Sequence, residues 1–463
     1  MKYNRKLLFF ILICACIHFG LRIQDGHNWG GDFSLYVAQS MALLNGTLDE
    51  LFTANKFTQD NSSKPVGPYL VPPGFPTILT PVIFLFGLNF VALKILCCTF
   101  FFASLLVVHR LFSNTLNYSW IASGIVFGLC MNKGILKYAD HVLSDFPFLF
   151  FCLLAILLLQ KRESLYANLF LGTAMFAAFS IRHIGVVLLP TLLVTQIFSY
   201  RHTKQPIRQW ILVNASPYVL FAVLILLTND YQWLGGHHQV EVLTSSSFQS
   251  IGRNLAKYAA SVSIFLVGNM AKILWIQVIT LIIALPIIIA GMVLSIRKWP
   301  SLTIFTAIYL ISILIYPRAN GLRYLFPIIP FMLFFILLGA TKIDEKINQF
   351  PVFRTLVIIC FLNMGFLGMK SSYSALIGDS NTSFSKEMQL HYEYIKTNVD
   401  SEDVIGFFKP RVLRLYTGIN TVFDRNGQYA SPKTDYALIS NNSETNYLNP
   451  VFSTEKFTLY KLE

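Results

Sequence analysis

Aspartates stand where long apolar runs begin or end, and these residues are the best placed to do chemistry. Asp32 precedes a helical stripe, and Asp145 opens an apolar run. An ionisable group at such a boundary is costly unless it is paired or used. Each could simply cap the helix that follows, because Asp favours an N-cap and Pro147 favours the first helical turn. The alternative is that one of them is a general base.

Basic side chains gather at similar boundaries. Arg182 and His183 fall in a very short turn between two apolar runs, and Arg318 and Arg323 precede another. Each alone could extend its charge to lipid headgroups. Several together favour an anionic ligand, and the planar guanidinium of arginine suits phosphate. The candidate ligand-binding residues are Tyr36, Lys64, Arg182, His183, Arg318, Arg323 and Tyr324.

A carboxylate beside phosphate-binding cations predicts a class of reaction. The carboxylate can accept the proton of an acceptor hydroxyl that attacks C1 of a sugar carried on a lipid phosphate. Cations stabilise the charge that gathers on the departing phosphate. We therefore expect Asp32 to be the base. No His and Asp cluster calls for a metal, and His237 and His238 lie in a different loop, where we expect them to be solvated.

The composition places this chemistry in a membrane. Of 463 residues, 54% are hydrophobic and 13% are charged, against about 25% charged in a soluble domain. This excludes a soluble enzyme, a disordered chain and a secreted disulfide scaffold. All seven cysteines lie in apolar runs, where we expect them to pack. The net charge of +13 comes from scattered basic residues, which argues against a nucleic-acid partner.

The apolar runs predict a multi-pass α-helical membrane protein with about 11 transmembrane helices. The expected spans lie near 7–23, 90–109, 119–137, 143–160, 165–181, 184–200, 211–229, 270–296, 301–316, 322–340 and 352–369. Lysines and arginines fall on alternate short turns, which predicts a cytoplasmic N-terminus and an outer C-terminal tail. We expect a transmembrane domain over 1–370 and an extracytoplasmic α/β domain over 371–463.

Two outer segments carry structure of their own. The loop 24–89 shows a helical stripe from Phe33 to Leu44, which predicts a helix lying along the membrane interface. A second short helix is expected over 75–86. The tail predicts a helix over 384–397, a helical turn over 411–416, and strands over 403–408, 436–440 and 457–462.

The order of motifs resembles the C-type (GT-C) membrane glycosyltransferases. It resembles most the branch that holds protein O-mannosyltransferases and lipid A aminoarabinose transferases (family 39 and its relatives). The motifs are GGDFSLY (30–36), VPPGFP (71–76), SDFPF (144–148), RHIG (182–185) and RYLFPIIP (323–330).

The resemblance implies an inverting enzyme with a polyprenyl-phosphate sugar donor and a catalytic Asp, here Asp32. It makes Asp145 the second acidic site residue, and some relatives bind a divalent metal at the first outer loop. Phe33 stands where some members have Glu, which argues against a double-carboxylate mechanism. Val71 stands in place of the Lys of the aminoarabinose branch, which argues against that activity. The acceptor can be a lipid, a glycan or a protein, and the compartment implied is the bacterial plasma (inner) membrane.

Three other functions compete. A polymerase or ligase of polyprenyl-linked glycans shares the spans and the outer arginines, but usually centres its chemistry on a later loop. A lipid flippase or transporter predicts polar residues near mid-membrane, whereas these spans are apolar in their middles. A structural or assembly protein would use the tail as a binding module.

Overall fold

The apolar runs form a bundle of helices. The computed structural model describes residues 2–113, 119–160, 165–200, 206–228, 248–317, 319–347, 351–377, 382–424, 434–441 and 449–462. The helices of this part are α1 (Lys2–Gly20), α2 (Gly31–Asn45), α3 (Leu48–Asp60), α4 (Gly74–Phe86), α5 (Phe90–Ser113), α6 (Ser119–Cys130), α7 (Lys133–Leu136), α8 (Asp145–Leu159), α9 (Leu165–Ile181), α10 (Leu188–Tyr200), α11 (Ile207–Leu227), α12 (Phe248–Val267), α13 (Leu274–Ile296), α14 (Pro300–Ile315), α15 (Ile329–Ile347) and α16 (Val352–Ile377). Short 3-10 segments lie at Lys137–Asp140, His183–Val187, Gly268–Lys272, Gly321–Leu325 and Thr382–Phe384.

Several of these helices are suited to a membrane. Among the described residues, four helical segments are long and apolar enough to cross one: Phe90–Ser113, His183–Tyr200, Leu274–Ile296 and Val352–Ile377. A fifth results if Lys133–Asp140 and Asp145–Leu159, which meet at 119°, form one broken span. Shorter apolar helices account for the other expected spans except the one near 322–340, where α15 lies. The multi-pass helical fold is confirmed, and the number of spans stays a prediction.

Helix α12 lies between the expected spans near 211–229 and 270–296, in a segment that was expected to be an outer loop. Its start is anchored to the end of α14: Asn254 donates from Nδ2 to the carbonyl of Leu314 at 3.0 Å, and Arg253 donates to that of Pro317 at 2.9 Å. Carbonyls at a helix C-terminus lack partners within the helix, so these side chains satisfy them. The helix therefore closes the end of α14 beside Gly321–Leu325.

The tail folds as an α/β unit. It contains α17 (Lys386–Asn398), β1 (Val404–Phe407), α18 (Pro410–Thr417), β2 (Asn420–Phe423), β3 (Tyr436–Ser440), β4 (Pro450–Ser453) and β5 (Phe457–Lys461). The strand order is β2-β1-β3-β5-β4. Strand β1 is parallel to β2 and β3, whereas β5 is antiparallel to β3 and β4. The expected strands β1, β3 and β5 are confirmed, and β2 and β4 are additional.

The tail covers the first loop. Thr58 of α3 donates to the carbonyl of Thr421 in β2 at 2.9 Å, and Ser63 donates to that of Phe423 at 3.1 Å. Helix α2 packs between α4 and α18. Its expected apolar stripe is buried from Phe33 to Ser40 but exposed at Leu44, and Leu35 and Gln39 on other faces are buried as well. The site end of the bundle therefore includes loop and tail together.

Candidate active site

Arg323 joins the two expected acidic residues. Its Nη1 lies 2.8 Å from Asp32 Oδ2, and its Nη2 and Nε lie 2.9 and 3.1 Å from Asp145 Oδ2. Arg182 completes the group, because its Nη2 lies 3.0 Å from Asp145 Oδ1. We call these four residues the Arg–Asp network. The structure thus brings together residues that lie up to 291 positions apart in the chain.

Neighbouring side chains hold the network in place. Arg182 Nε donates to Ser144 Oγ at 2.9 Å, and the hydroxyl of Tyr36 lies 3.0 Å from the same oxygen. The ring of Tyr36 packs edge-on against Phe75 at 4.8 Å. The guanidinium of Arg182 also lies 5.8 Å from the centroid of Tyr324. Tyr36, Arg182 and Tyr324 therefore lie together beside Asp145 and Arg323.

Neither aspartate is a helix cap. Helix α2 begins at Gly31 with Gly30 at the N-cap, and Asp32 lies in its first turn without capping it. Helix α8 begins at Asp145 itself, with Ser144 at the N-cap. The cap interpretation is therefore wrong for both. Both carboxylates still lie at helix N-termini, where the helix dipole favours negative charge.

Close packing brings these elements together. A Cβ at Gly74 would lie 2.6 Å from the carbonyl carbon of Ser180, so only glycine lets the start of α4 approach the end of α9, where Arg182 emerges. Gln39 of α2 accepts from the Val71 amide at 2.8 Å and donates to the Val71 carbonyl at 2.9 Å. The VPPGFP segment is thereby joined to both α2 and α9.

The two carboxylates differ sharply in exposure. The side chain of Asp32 is 56% exposed, and that of Asp145 is 2% exposed. Burial opposes the charge on Arg323, but the two carboxylates outweigh it and raise the Arg323 pKa well above its usual value. Asp145 thus orients two arginines from the buried side of the network, whereas the carboxylate of Asp32 is exposed.

The other candidate ligand residues lie elsewhere or outside the described part. Lys64 lies over the ring of Phe423 in the tail, with Nζ 3.8 Å from the centroid. His183 lies against Phe179, with ring centroids 5.3 Å apart. Arg318, His237 and His238 lie outside the described residues. Lys64 therefore contacts the tail.

A second ion pair near the site was not anticipated. Lys94, which is fully buried in α5, lies 2.5 Å from Asp140 Oδ1 and 2.7 Å from the carbonyl of Gln24. The Gln24 amide donates to the same Asp140 oxygen at 2.9 Å. The signal was present in the sequence, because a lysine inside an apolar run is costly unless an acid neutralises it. Asp140 is therefore part of a structural pair that anchors the first loop.

The residues present do not fit a divalent metal. Within the described ranges, no three His, Cys, Asp or Glu side chains cluster with ligand geometry. Asp32 and Asp145 are each bound by arginine, whose positive charge would repel a cation from the same oxygens.

A small apolar pocket lies between α12 and the segment that runs from Leu322 into α15. Leu322 and Leu325 line its start, and Ile329, Leu333 and Ile336 continue it along α15 at helical spacing. Phe265 of α12 is on the opposite wall. The pocket is a small gap in the packing of these helices.

Comparison with known proteins identifies the fold. No protein-family model matches the sequence, and the search of curated proteins gives no significant match. Among solved structures, ArnT from Cupriavidus metallidurans bound to undecaprenyl phosphate aligns over 99% of this chain and 98% of its own, with 13% identity and a TM-score of 0.58.

Two other structures share the arrangement. The oligosaccharyltransferase AglB from Archaeoglobus fulgidus, with an inhibitory peptide and a dolichol-phosphate, aligns over 95% of this chain and 69% of its own, at 11% identity and a TM-score of 0.58. The arabinofuranosyltransferase AftD from Mycobacteria aligns over 98% of this chain and 40% of its own, at 10% identity and a TM-score of 0.53. The chain therefore has the GT-C fold that its motifs predicted.

Proposed function

We propose that this chain is an inverting glycosyltransferase that moves a sugar from a polyprenyl-phosphate donor to an acceptor hydroxyl. The observation that carries the proposal is the position of Arg323, whose guanidinium bridges an exposed Asp32 and a buried Asp145. One carboxylate is thereby accessible to an acceptor, and the other holds two cations where a phosphate can reach them. The fold shared with ArnT and AglB supports this assignment.

The donor phosphate binds to Arg323 and Arg182 in this proposal. In the resting structure the Nη1 of Arg323 is bound to Asp32. A donor phosphate can take this position because phosphate also accepts from guanidinium. Asp32 then loses its cationic partner and its carboxylate is available to the acceptor hydroxyl. Donor binding would therefore prepare the base for the acceptor.

The polyprenyl chain of the donor lies in the membrane, against the apolar helices that surround the Arg–Asp network. An isoprenoid chain favours this surface because its burial removes apolar area from water and from headgroups. The structure of ArnT contains undecaprenyl phosphate and that of AglB contains a dolichol-phosphate, which supports a lipid phosphate of this class.

The reaction balances without a further co-reactant. The acceptor oxygen forms a bond to C1 as the bond from C1 to the phosphate oxygen breaks, and the polyprenyl phosphate leaves with the electron pair. The hydroxyl proton passes to Asp32. Arg182 and Arg323 stabilise the charge on the leaving phosphate, which needs no strong general acid. Attack opposite to the leaving group inverts the anomeric carbon.

The proposed location is the outer face of a bacterial inner membrane. The basic residues of the alternate short turns support a cytoplasmic N-terminus. The Arg–Asp network and the tail lie together, so the active site then faces the extracytoplasmic side. The transferred sugar is a hexose or a pentose.

The test is mass spectrometry of lipids that copurify with the wild type and with Asp32→Asn. We expect a polyprenyl-phosphate sugar that is enriched in Asp32→Asn, because that variant binds the donor but cannot activate the acceptor. Asp49→Asn, which removes a carboxylate from α3 outside the network, is the matched control and should resemble the wild type.

Two results would contradict the proposal. Full transfer activity in Asp32→Asn would exclude Asp32 as the base. Ordinary phospholipids alone in every variant, together with no binding of added undecaprenyl phosphate, would exclude the donor class and favour a transporter or an assembly protein.

A further inference from the structure

Cations from the first loop and the tail lie at the end of the paired strands β1 and β2. Lys64 lies over the ring of Phe423, which pairs with Phe407 on the neighbouring strand. The chain then continues through Phe408 to Lys409. The ring of Phe408 lies 5.0 Å from that of Trp29, three residues before Asp32.

Arg411 fixes this part of the tail against the loop. Its Nη2 donates to the carbonyls of Gly67 and Pro68 at 3.2 and 2.7 Å. The residue is only 8% exposed, and its Nε has no hydrogen-bond partner among the described residues. Gly67 has a φ of +104°, and a Cβ there would lie 3.1 Å from the guanidinium, so the contact is tight. Lys409 is thus held at a defined position.

Electrostatics agree with this proximity. Burial lowers the pKa of Lys409, Asp32 opposes that shift, and Lys64 adds to it. Burial and Arg414 lower the pKa of Arg411 to about 10, again opposed by Asp32. Lys409 therefore lies within electrostatic range of both Lys64 and Asp32.

No ion pair among the described residues neutralises these cations, which are Lys64, Lys409 and Arg411. The carboxylates of Asp32 and Asp145 are already paired with arginines, and a donor phosphodiester adds one negative charge. Two like charges side by side without a counterion repel each other. Such a pair is stable when an anion lies between its members.

We propose that Lys64 and Lys409 bind an anionic group, phosphate or carboxylate, on the acceptor. The inference rests on the proposed function and gives it a substrate class: an acceptor with negative charge next to the hydroxyl that Asp32 deprotonates. Arg411 is a positioning residue, since it joins the start of α18 to the loop. The acceptor thereby lies between loop and tail, opposite the donor phosphate.

Binding measurements on the full chain in phosphatidylcholine nanodiscs test this, with undecaprenyl phosphate present to occupy Arg182 and Arg323. The probes are glucose 6-phosphate, glucuronate and the neutral methyl glucoside. We expect both anions to bind about tenfold more tightly than the neutral sugar, because charge-assisted contacts contribute at least that much. Lys64→Gln/Lys409→Gln should remove this preference, with undecaprenyl phosphate affinity unchanged.

Lys396→Gln is the matched control, since Lys396 is exposed on α17 and carries the same charge. It should leave every affinity as in the wild type. If the double variant fails to fold, the single variant Lys64→Gln, at an exposed side chain, should still weaken both anions. The comparison of glucose 6-phosphate with glucuronate shows which anion the site prefers.

Three outcomes would overturn the inference: equal affinity for anionic and neutral probes in the wild type, an unchanged preference in a folded double variant, or displacement of the probes by phosphatidylglycerol added to the nanodiscs. The last would make this a lipid-headgroup site. Failure of undecaprenyl phosphate to bind would instead contradict the proposed function, so the two ideas are tested separately.

Discussion

Two clusters of charged side chains lie near each other at one end of the bundle, and they differ in their exposure to solvent. Lys94 and Asp140 form a pair whose lysine is fully buried, and Gln24 binds both partners. The Arg–Asp network instead ends in Asp32, whose side chain is 56% exposed. A closed pair holds the loop in place, whereas a network with one open carboxylate can exchange partners with a substrate.

The network contains two cations on one buried carboxylate, whereas the closed pair contains one cation. Asp145 is paired with both Arg182 and Arg323, so one buried carboxylate orients two guanidinium groups. Only Asp32 balances the second charge, and it does so from the exposed side. In the proposed mechanism a donor phosphate takes the place of Asp32 on Arg323, so that Asp145 and the phosphate then balance the two arginines.

The largest effect on stability is expected at the closed pair. Lys94→Met removes the buried ammonium that contacts Asp140, and breaking a buried pair costs about 3–5 kcal/mol. Thermal unfolding in detergent should show this loss. Lys94→Met/Asp140→Leu should recover much of it, since replacement of both partners by apolar groups is far less costly.

The matched comparison is Asp32→Asn, which should change the free energy of unfolding by less than about 1 kcal/mol because the side chain is exposed. The distinction between the clusters would fail if Asp32→Asn destabilised the protein as much as Lys94→Met.

A smaller effect is expected for Arg323→Lys. Lysine keeps the charge but cannot make three N–H contacts to two carboxylates, because its ammonium is a compact point charge. Turnover and undecaprenyl phosphate affinity should each fall by about tenfold or more, as for loss of one charge-assisted hydrogen bond. Arg354→Lys at the Asp344 pair serves as control and should retain activity. If Arg323→Lys and Arg354→Lys retained the same activity, the planar guanidinium of Arg323 would have no special role.

The sequence predicted the partners of the network but not their contacts. The boundaries of apolar runs marked Asp32, Asp145, Arg182 and Arg323, because charge at such positions is costly unless it is used. Which carboxylate is buried depends on packing between residues 178 and 291 positions apart, and local pattern does not encode this. The cap interpretation was also wrong. The preference for Asp near a helix start holds both for an Asp that caps the helix and for one in its first turn, so the sequence alone does not distinguish them.

The tail was also predicted only in part. Its helices and the strands β1, β3 and β5 followed from local pattern, whereas the edge strands β2 and β4 did not. The burial of α2 under α18 could not be predicted, because it depends on contacts such as that of Arg411 with Gly67 across the whole chain. We still predict a domain boundary near residue 370, with the tail dependent on the first loop for its stability.

Two buried histidines outside both clusters predict that the stability of the protein depends on pH. His391 Nε2 donates to the Phe457 carbonyl, and burial lowers the His391 pKa to about 4 from 6.5. His27 donates from Nδ1 to the Asn28 carbonyl, and burial lowers its pKa to about 3. These neutral histidines contribute stability that is complete above pH 6.5 and is lost as the pH falls towards their folded pKa values.

Melting temperatures measured between pH 7.5 and 4.5 should therefore fall on the order of 5 °C. His391→Gln, which keeps a donor for Phe457 but cannot titrate, should show a shallower fall. A wild-type melting temperature independent of pH over this range would contradict the assignment of both histidines as buried and neutral.

The central claim is that the donor phosphate takes the place of Asp32 on Arg323. The direct test is the affinity of undecaprenyl phosphate for the wild type and for Asp32→Asn, measured beside transfer activity. The account predicts affinity equal to or above that of the wild type in Asp32→Asn, because Arg323 no longer has a competing carboxylate, with turnover lower by about 10²-fold to 10⁴-fold. Weaker lipid binding together with retained turnover would show that Asp32 supports the site without acting as its base.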